Sequence, residues 1–165
     1  MMRTTSAFTA LACLAGAAMA ADMNVRLGQA EVRFDRDRWR ASVIPEGLRF
    51  DPQGKSASNL DAVELHVRHD APCRELAIAA FQFGHYDMGS LETNTMIFGG
   101  IEGERFEAHT GCRNATPRGV VACVKSGGRA YVLRSVNPGC EGRNLFSGID
   151  PIAEIAAGIT FTAPR

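Results

Sequence analysis

The stretch from Gly119 to Val136 constrains this chain most, because two apolar runs rich in β-branched residues flank Gly127-Gly128. A two-residue type I′ turn needs positive φ at both central positions, and paired glycines adopt it without steric cost. The segment therefore reads as a β-hairpin. Counting outward from the turn sets Val124 opposite Tyr131 and Ala122 opposite Leu133 on one face, with Cys123 opposite Val132 on the other. Apolar side chains on both faces mark it as a central scaffold rather than a binding element, with Cys123 offering a staple.

Around this hairpin the pattern is mostly one of strands. Val25 and Leu27, Val32 and Phe34, then Trp39, Ala41 and Val43 alternate with polar residues. The polar cluster Asp35-Arg36-Asp37-Arg38 between the last two sets reads as the bend of a hairpin that Pro45-Glu46-Gly47 closes. Asp51 to Asn59 reads as a loop, and Val63, Leu65 and Val67 alternate with Glu64, His66 and Arg68 as a half-exposed strand. The short apolar run Leu76 to Phe83 reads as a buried strand, with Phe81 and Phe83 at alternate positions. His85 to Asn94 is polar and irregular, Gly99-Gly100 offers a turn, and Arg105 to Thr110 reads as a strand. Near the end, Asp150 suits a helix N-cap and Pro151 the first helical position. Ile152, Ile155, Ala156 and Ile159 then repeat at helical spacing, Gly158 can stop the helix, and Ile159-Thr160-Phe161 alternates as a short strand. The expected class is α+β, a mostly antiparallel sheet with one or two helices packed on a face and stapled by disulfides.

The N-terminus reads as an address rather than as structure. Arg3 precedes the apolar run Ala7 to Ala18, and Ala18-Met19-Ala20 is a small-x-small cleavage pattern. Residues 1–20 are thus expected to be a secretory signal removed after Ala20, leaving 21–165 as a single domain. The apolar run is too short for a stable membrane anchor, which needs about twenty residues. Cys13 lacks the large aliphatic residue expected three positions before a lipobox cysteine. Arg makes up all basic residues except Lys55 and Lys125, the usage of a GC-rich bacterial genome, so the expected compartment is the periplasm. Four cysteines remain after cleavage, Cys73, Cys112, Cys123 and Cys140, and an even count in an oxidising compartment points to two disulfides. Three pairings satisfy that count. One sets Cys112 against Cys123 across adjacent strands and leaves Cys73 for Cys140. No Cys-x-x-Cys spacing supports a zinc site.

Loss of Arg3 leaves 17 basic against 18 acidic residues, a balance that argues against nucleic acid as a partner. Arg33, Arg36, Arg38 and Arg40 cluster around Trp39, and Arg36, Arg38, Trp39 and Arg40 form the candidate partner-binding surface; the plainer reading is a solvated strand face interleaved with Asp35 and Asp37 over a buried Trp39. His66, His69, His85 and His109 are the candidates for a metal or catalytic site. His66 and His69 fall on opposite faces of a continuing strand and cannot chelate together there. Gly-x-Ser-x-Gly is absent, neither Gly-Gly pair has P-loop or Rossmann spacing, and paired cysteines leave no thiolate nucleophile. No cofactor and no metal is expected from these patterns.

Ile44-Pro45-Glu46-Gly47 after an early strand, Gly127-Gly128-Arg129-Ala130-Tyr131 in a late hairpin, and a last helix leading into Ile159-Thr160-Phe161 resemble, in outline, the small α+β domains of the PsbP/Mog1 type. That resemblance implies a binding or accessory protein and carries no catalytic residue. The residues and the resemblance together point to a non-enzymatic periplasmic protein that binds another envelope or secreted protein, as an accessory factor or a toxin-immunity protein does. The alternative is a small periplasmic enzyme or metal-binding protein using the histidines.

Overall fold

The computed structural model describes residues 22–54, 60–81, 86–110, 118–136 and 150–162. In chain order their elements are β1 (Asp22–Leu27), β2 (Ala30–Asp35), β3 (Trp39–Ile44), β4 (Gly47–Pro52), β5 (Ala62–His69), α1 (Cys73–Phe81), β6 (Tyr86–Phe98), β7 (Ile101–Thr110), β8 (Arg118–Ser126), β9 (Arg129–Val136), α2 (Pro151–Ala157) and β10 (Ile159–Phe161). A seven-stranded sheet runs β3-β4-β5-β9-β8-β7-β6, and a three-stranded sheet runs β1-β2-β10; every pairing is antiparallel. The expected α+β class is thereby corrected. The architecture is predominantly antiparallel β, with two short helices as accessories. The excess of strand comes from Leu48 to Phe50, to which the alternation assigned no element and which form the buried part of β4 between β3 and β5, and from the polar first half of β6 at the far edge of the large sheet.

The β8–β9 hairpin has the expected register, with Val124 opposite Tyr131, Ala122 opposite Leu133 and Cys123 opposite Val132. Gly127 and Gly128 stand at φ 58° and 69°. The α2 segment also follows its sequence. Asp150 Oδ1 accepts the N–H groups of Ile152 at 3.0 Å and Ala153 at 3.1 Å, satisfying donors that a helix start leaves open. Gly158 closes the helix, and a close backbone approach explains it: a Cβ there would lie 2.0 Å from the Arg33 carbonyl oxygen of β2.

Two segments differ from their sequence reading. Leu76 to Phe83 was expected as a strand, yet the chain is helical from Cys73 to Phe81, with Cys73, Ala77 and Phe81 forming its buried stripe. That i, i+4, i+8 spacing competes with the Phe81/Phe83 alternation, and alanines at 77, 79 and 80 favour the helix. The Asp35-Arg38 cluster does turn the chain, with the Arg38 N–H donating to the Asp35 carbonyl at 3.1 Å. It joins strands of different sheets rather than a hairpin.

The seven-stranded sheet is therefore a middle layer. One face carries the main core, where Trp39, Phe50, Leu65 and Leu133 pack with Ile152, Ile155 and Ile159 beneath the small sheet and α2. Phe34 of β2 meets Phe50 edge-on, ring centroids 5.4 Å apart. On the other face α1 covers Phe106, Val121, Cys123 and Val132. A disulfide between Cys73 and Cys123 pins the start of α1 to β8, with Cα atoms 5.6 Å apart. The Cys112–Cys123 pairing is thus corrected: Cys123 points into the α1 layer, and its cross-strand neighbour on β7 is Glu104. Cys112 and Cys140 lie outside the described residues, as do residues 1–20 and His85. No helix among the described residues is long and apolar enough to cross a membrane.

Candidate functional site

The arginine-rich segment divides into buried and exposed members. Trp39 is 1 % exposed, and its indole N–H donates to Glu154 Oε1 of α2 at 3.0 Å. Arg38 pairs with the other oxygen of Glu154 at 2.9 Å. These two residues fasten α2 to the end of β3, so the plainer reading holds for the Trp39 ring. Arg36 and Arg40 are exposed and carry no ion pair among the described residues.

His66 and His69 take opposite faces of β5, His66 buried and His69 exposed. No group of three or more His, Cys, Asp or Glu among the described residues is arranged to hold a metal ion. His66 instead belongs to a charged cluster that the sequence reading missed. Glu64 is only 7 % exposed and accepts from Arg134 Nη2 at 2.6 Å, Arg134 Nε at 2.8 Å, His66 Nε2 at 3.1 Å and Arg49 Nη1 at 3.3 Å. Arg49 is further held by Asp51 at 2.9 Å. The signal for this cluster is cross-strand: Glu64 stands opposite Arg49 on β4 and Arg134 on β9. A half-exposed alternation in β5 does not show that both neighbouring strands bring guanidinium groups to the same carboxylate.

Burial alone would raise the Glu64 pKa, but hydrogen bonds from Arg134 and His66 outweigh it and hold the carboxyl below its ordinary value. Burial, with Arg134 and Arg68 nearby, pushes His66 down despite its bond to Glu64. His66 is then neutral, its Nε2–H donating to Glu64 while Nδ1 faces Gly47, where a Cβ would lie 3.1 Å away. A carboxylate held between two guanidinium groups is a poor proton acceptor, so the cluster serves as a buried structural lock rather than as a general base.

The lock has a testable pH signature. The unfolded chain protonates His66 near 6.5 while the folded chain resists, so the folded state binds fewer protons and loses stability as pH falls below that value. Glu64 adds a loss of the same sign below its ordinary 4.5. Urea midpoints are expected to fall between pH 7.5 and 5.5, and His66→Gln is expected to flatten that slope. A midpoint that rises on acidification contradicts the assignment.

A second feature lies at one end of the molecule, where the β1–β2, β3–β4 and β8–β9 turns meet the end of β5. They enclose an open groove of about 880 Å³. Leu27, Val43 and Val67 supply apolar walls, and Arg68, His69 and Arg129 line it as well. Val43 is 85 % exposed, far more than Met23, Ile97 or Ile101, the other exposed large apolar residues among those described. At the groove's rim Glu46 holds φ 58°, a left-handed conformation that costs a residue with a side chain about 1–2 kcal/mol. Its carbonyl accepts the Val67 N–H at 3.2 Å and its carboxylate pairs with Arg68. Sequence alternation placed Val43 on the same face as Trp39 and Ala41, but gave no sign that the small sheet stops short of it.

No protein-family model matches the chain, and no curated protein matches it.

Proposed function

We propose that this is an exported, non-enzymatic protein of the bacterial periplasm that binds another envelope or secreted protein through the β3 side of the molecule. The observation that carries this reading is Val43, a large aliphatic residue 85 % exposed at the mouth of an open groove. Exposed apolar surface beside unpaired charge favours a partner that removes the one from water and neutralises the other. Arg40 is exposed on the opposite face of the same strand and Arg36 in the turn that precedes it, whereas the Trp39 ring is buried and Glu154 holds the Arg38 charge. The disulfide supports an oxidising compartment, and the Arg3 to Ala20 segment supports export. A binding or accessory role is also what the outline resemblance to PsbP/Mog1-type domains implies.

The test is affinity capture from envelope fractions with four proteins: wild type, Val43→Arg, Arg40→Glu and the control Ile97→Arg. Wild type and the Ile97 variant are expected to recover the same partner, with the Val43 and Arg40 variants losing it at least tenfold. Identical recoveries by all four would place the binding surface elsewhere.

A further inference from the structure

The partner-binding reading above leaves open how a partner engages β3, and the sheet order narrows the mode. β3 is one of the two edge strands of the seven-stranded sheet and pairs only with β4 among the described residues, in unbroken register from Trp39 opposite Pro52 to Ile44 opposite Gly47, whereas the other edge, β6, is broken by a register shift between Asp87 and Glu92. Because Pro45 and Glu46 form a two-residue loop, Ile44 and Gly47 are a hydrogen-bonded pair, and antiparallel alternation then turns the N–H and C=O groups of Ala41 and Val43 outward. An unpaired edge with no proline and no bulge is a template for another strand. Its two faces differ in chemistry: Ala41 and Val43 share the face that leads into the groove, whereas Arg40 and Ser42 share the other.

We infer that β3 receives an extended segment of the partner by strand addition. Resting on the partner-binding reading, this inference also specifies the segment. On one side it carries apolar residues that cover Val43 and enter the groove; on the other it carries carboxylates that meet Arg40. Charge complementarity decides the occupant. Arg36 and Arg40 have no ion pair among the described residues, and neither does Arg129, which lines the groove. A second copy of this chain would bring its own arginine-bearing edge against them, whereas an acidic strand from another protein neutralises them.

The probe is a dye-labelled eight-residue peptide of alternating Glu and Val, titrated against the purified protein by fluorescence anisotropy. Saturable binding is expected, weakened at least tenfold by Arg40→Glu, and absent for the matched Lys and Val peptide. Two further Glu and Val peptides carry N-methyl groups on alternate residues, one along each edge, which removes the ladder donors of that edge and leaves the side chains in place. If strand addition is correct, methylating the pairing edge weakens binding at least tenfold and methylating the opposite edge does not. No binding of the Glu and Val peptide, or equal binding of both methylated forms, overturns the inference. Partner capture that stays sensitive to Val43→Arg while either of those peptide results is found would keep the partner reading and reject this mode.

Discussion

Replacing Cys73 and Cys123 together by alanine is expected to lower the unfolding free energy by about 4 kcal/mol. The bridge closes a loop whose ends are 50 residues apart, and the chain-entropy model assigns about that stabilisation to a loop of this length. The loop contains β6 and β7, so the bridge restrains in the unfolded chain the two strands that form one flank of the large sheet. It also holds α1 over Phe106, Val121 and Val132, the cover of the second core. Against the roughly 5–15 kcal/mol of a typical domain, this is a large fraction. Urea unfolding of the double variant checks it, as does reduction of the wild-type protein. A midpoint change equivalent to less than about 1 kcal/mol would mean that α1 is held by packing alone. Mass measurement after alkylation is expected to show no free thiol, as the even cysteine count of the exported chain implies.

Trp39→Ala is expected to cost about 3–5 kcal/mol, the range for removing a large buried aromatic side chain. Trp39 is among the largest fully buried side chains, and its truncation leaves a cavity between β3 and α2 while Glu154 Oε1 loses its donor. Trp39→Phe refills much of the volume and sacrifices only the hydrogen bond, so a smaller loss of about 1–3 kcal/mol is expected. The pair of variants separates core from contact. Trp39→Phe that folds and keeps its partner agrees with a core role, whereas near-wild-type stability in Trp39→Ala would put the indole outside the core.

How much of this was legible in the sequence follows from the range over which each signal acts. Local devices read correctly: Gly127-Gly128 set the register of β8 and β9, and Asp150-Pro151 started α2, because turns and caps are decided within a few residues. Leu76 to Phe83 misread because a short apolar run carries both periods, and the Phe81/Phe83 alternation was followed over the Cys73, Ala77, Phe81 spacing and the alanines between them. The exchange of sheets at Asp35-Arg38 was invisible because alternation says which face is apolar and not which strand is the neighbour. The site followed that rule. Trp39 and its arginines were found together in sequence, but the split between buried Trp39 and exposed Arg36 and Arg40 depends on Glu154, 115 residues away. The Glu64 cluster needs β4, β5 and β9 side by side, a fact of topology rather than of spacing.

Site-specific photo-crosslinking in cells tests the central claim most directly, with the reactive side chain placed at Val43 and, for comparison, at Ile97. The account predicts one dominant adduct from position 43 to another exported protein, lost when Arg40→Glu is added, and no such adduct from position 97. The same adduct from both positions, or one from position 43 that Arg40→Glu does not weaken, would contradict it.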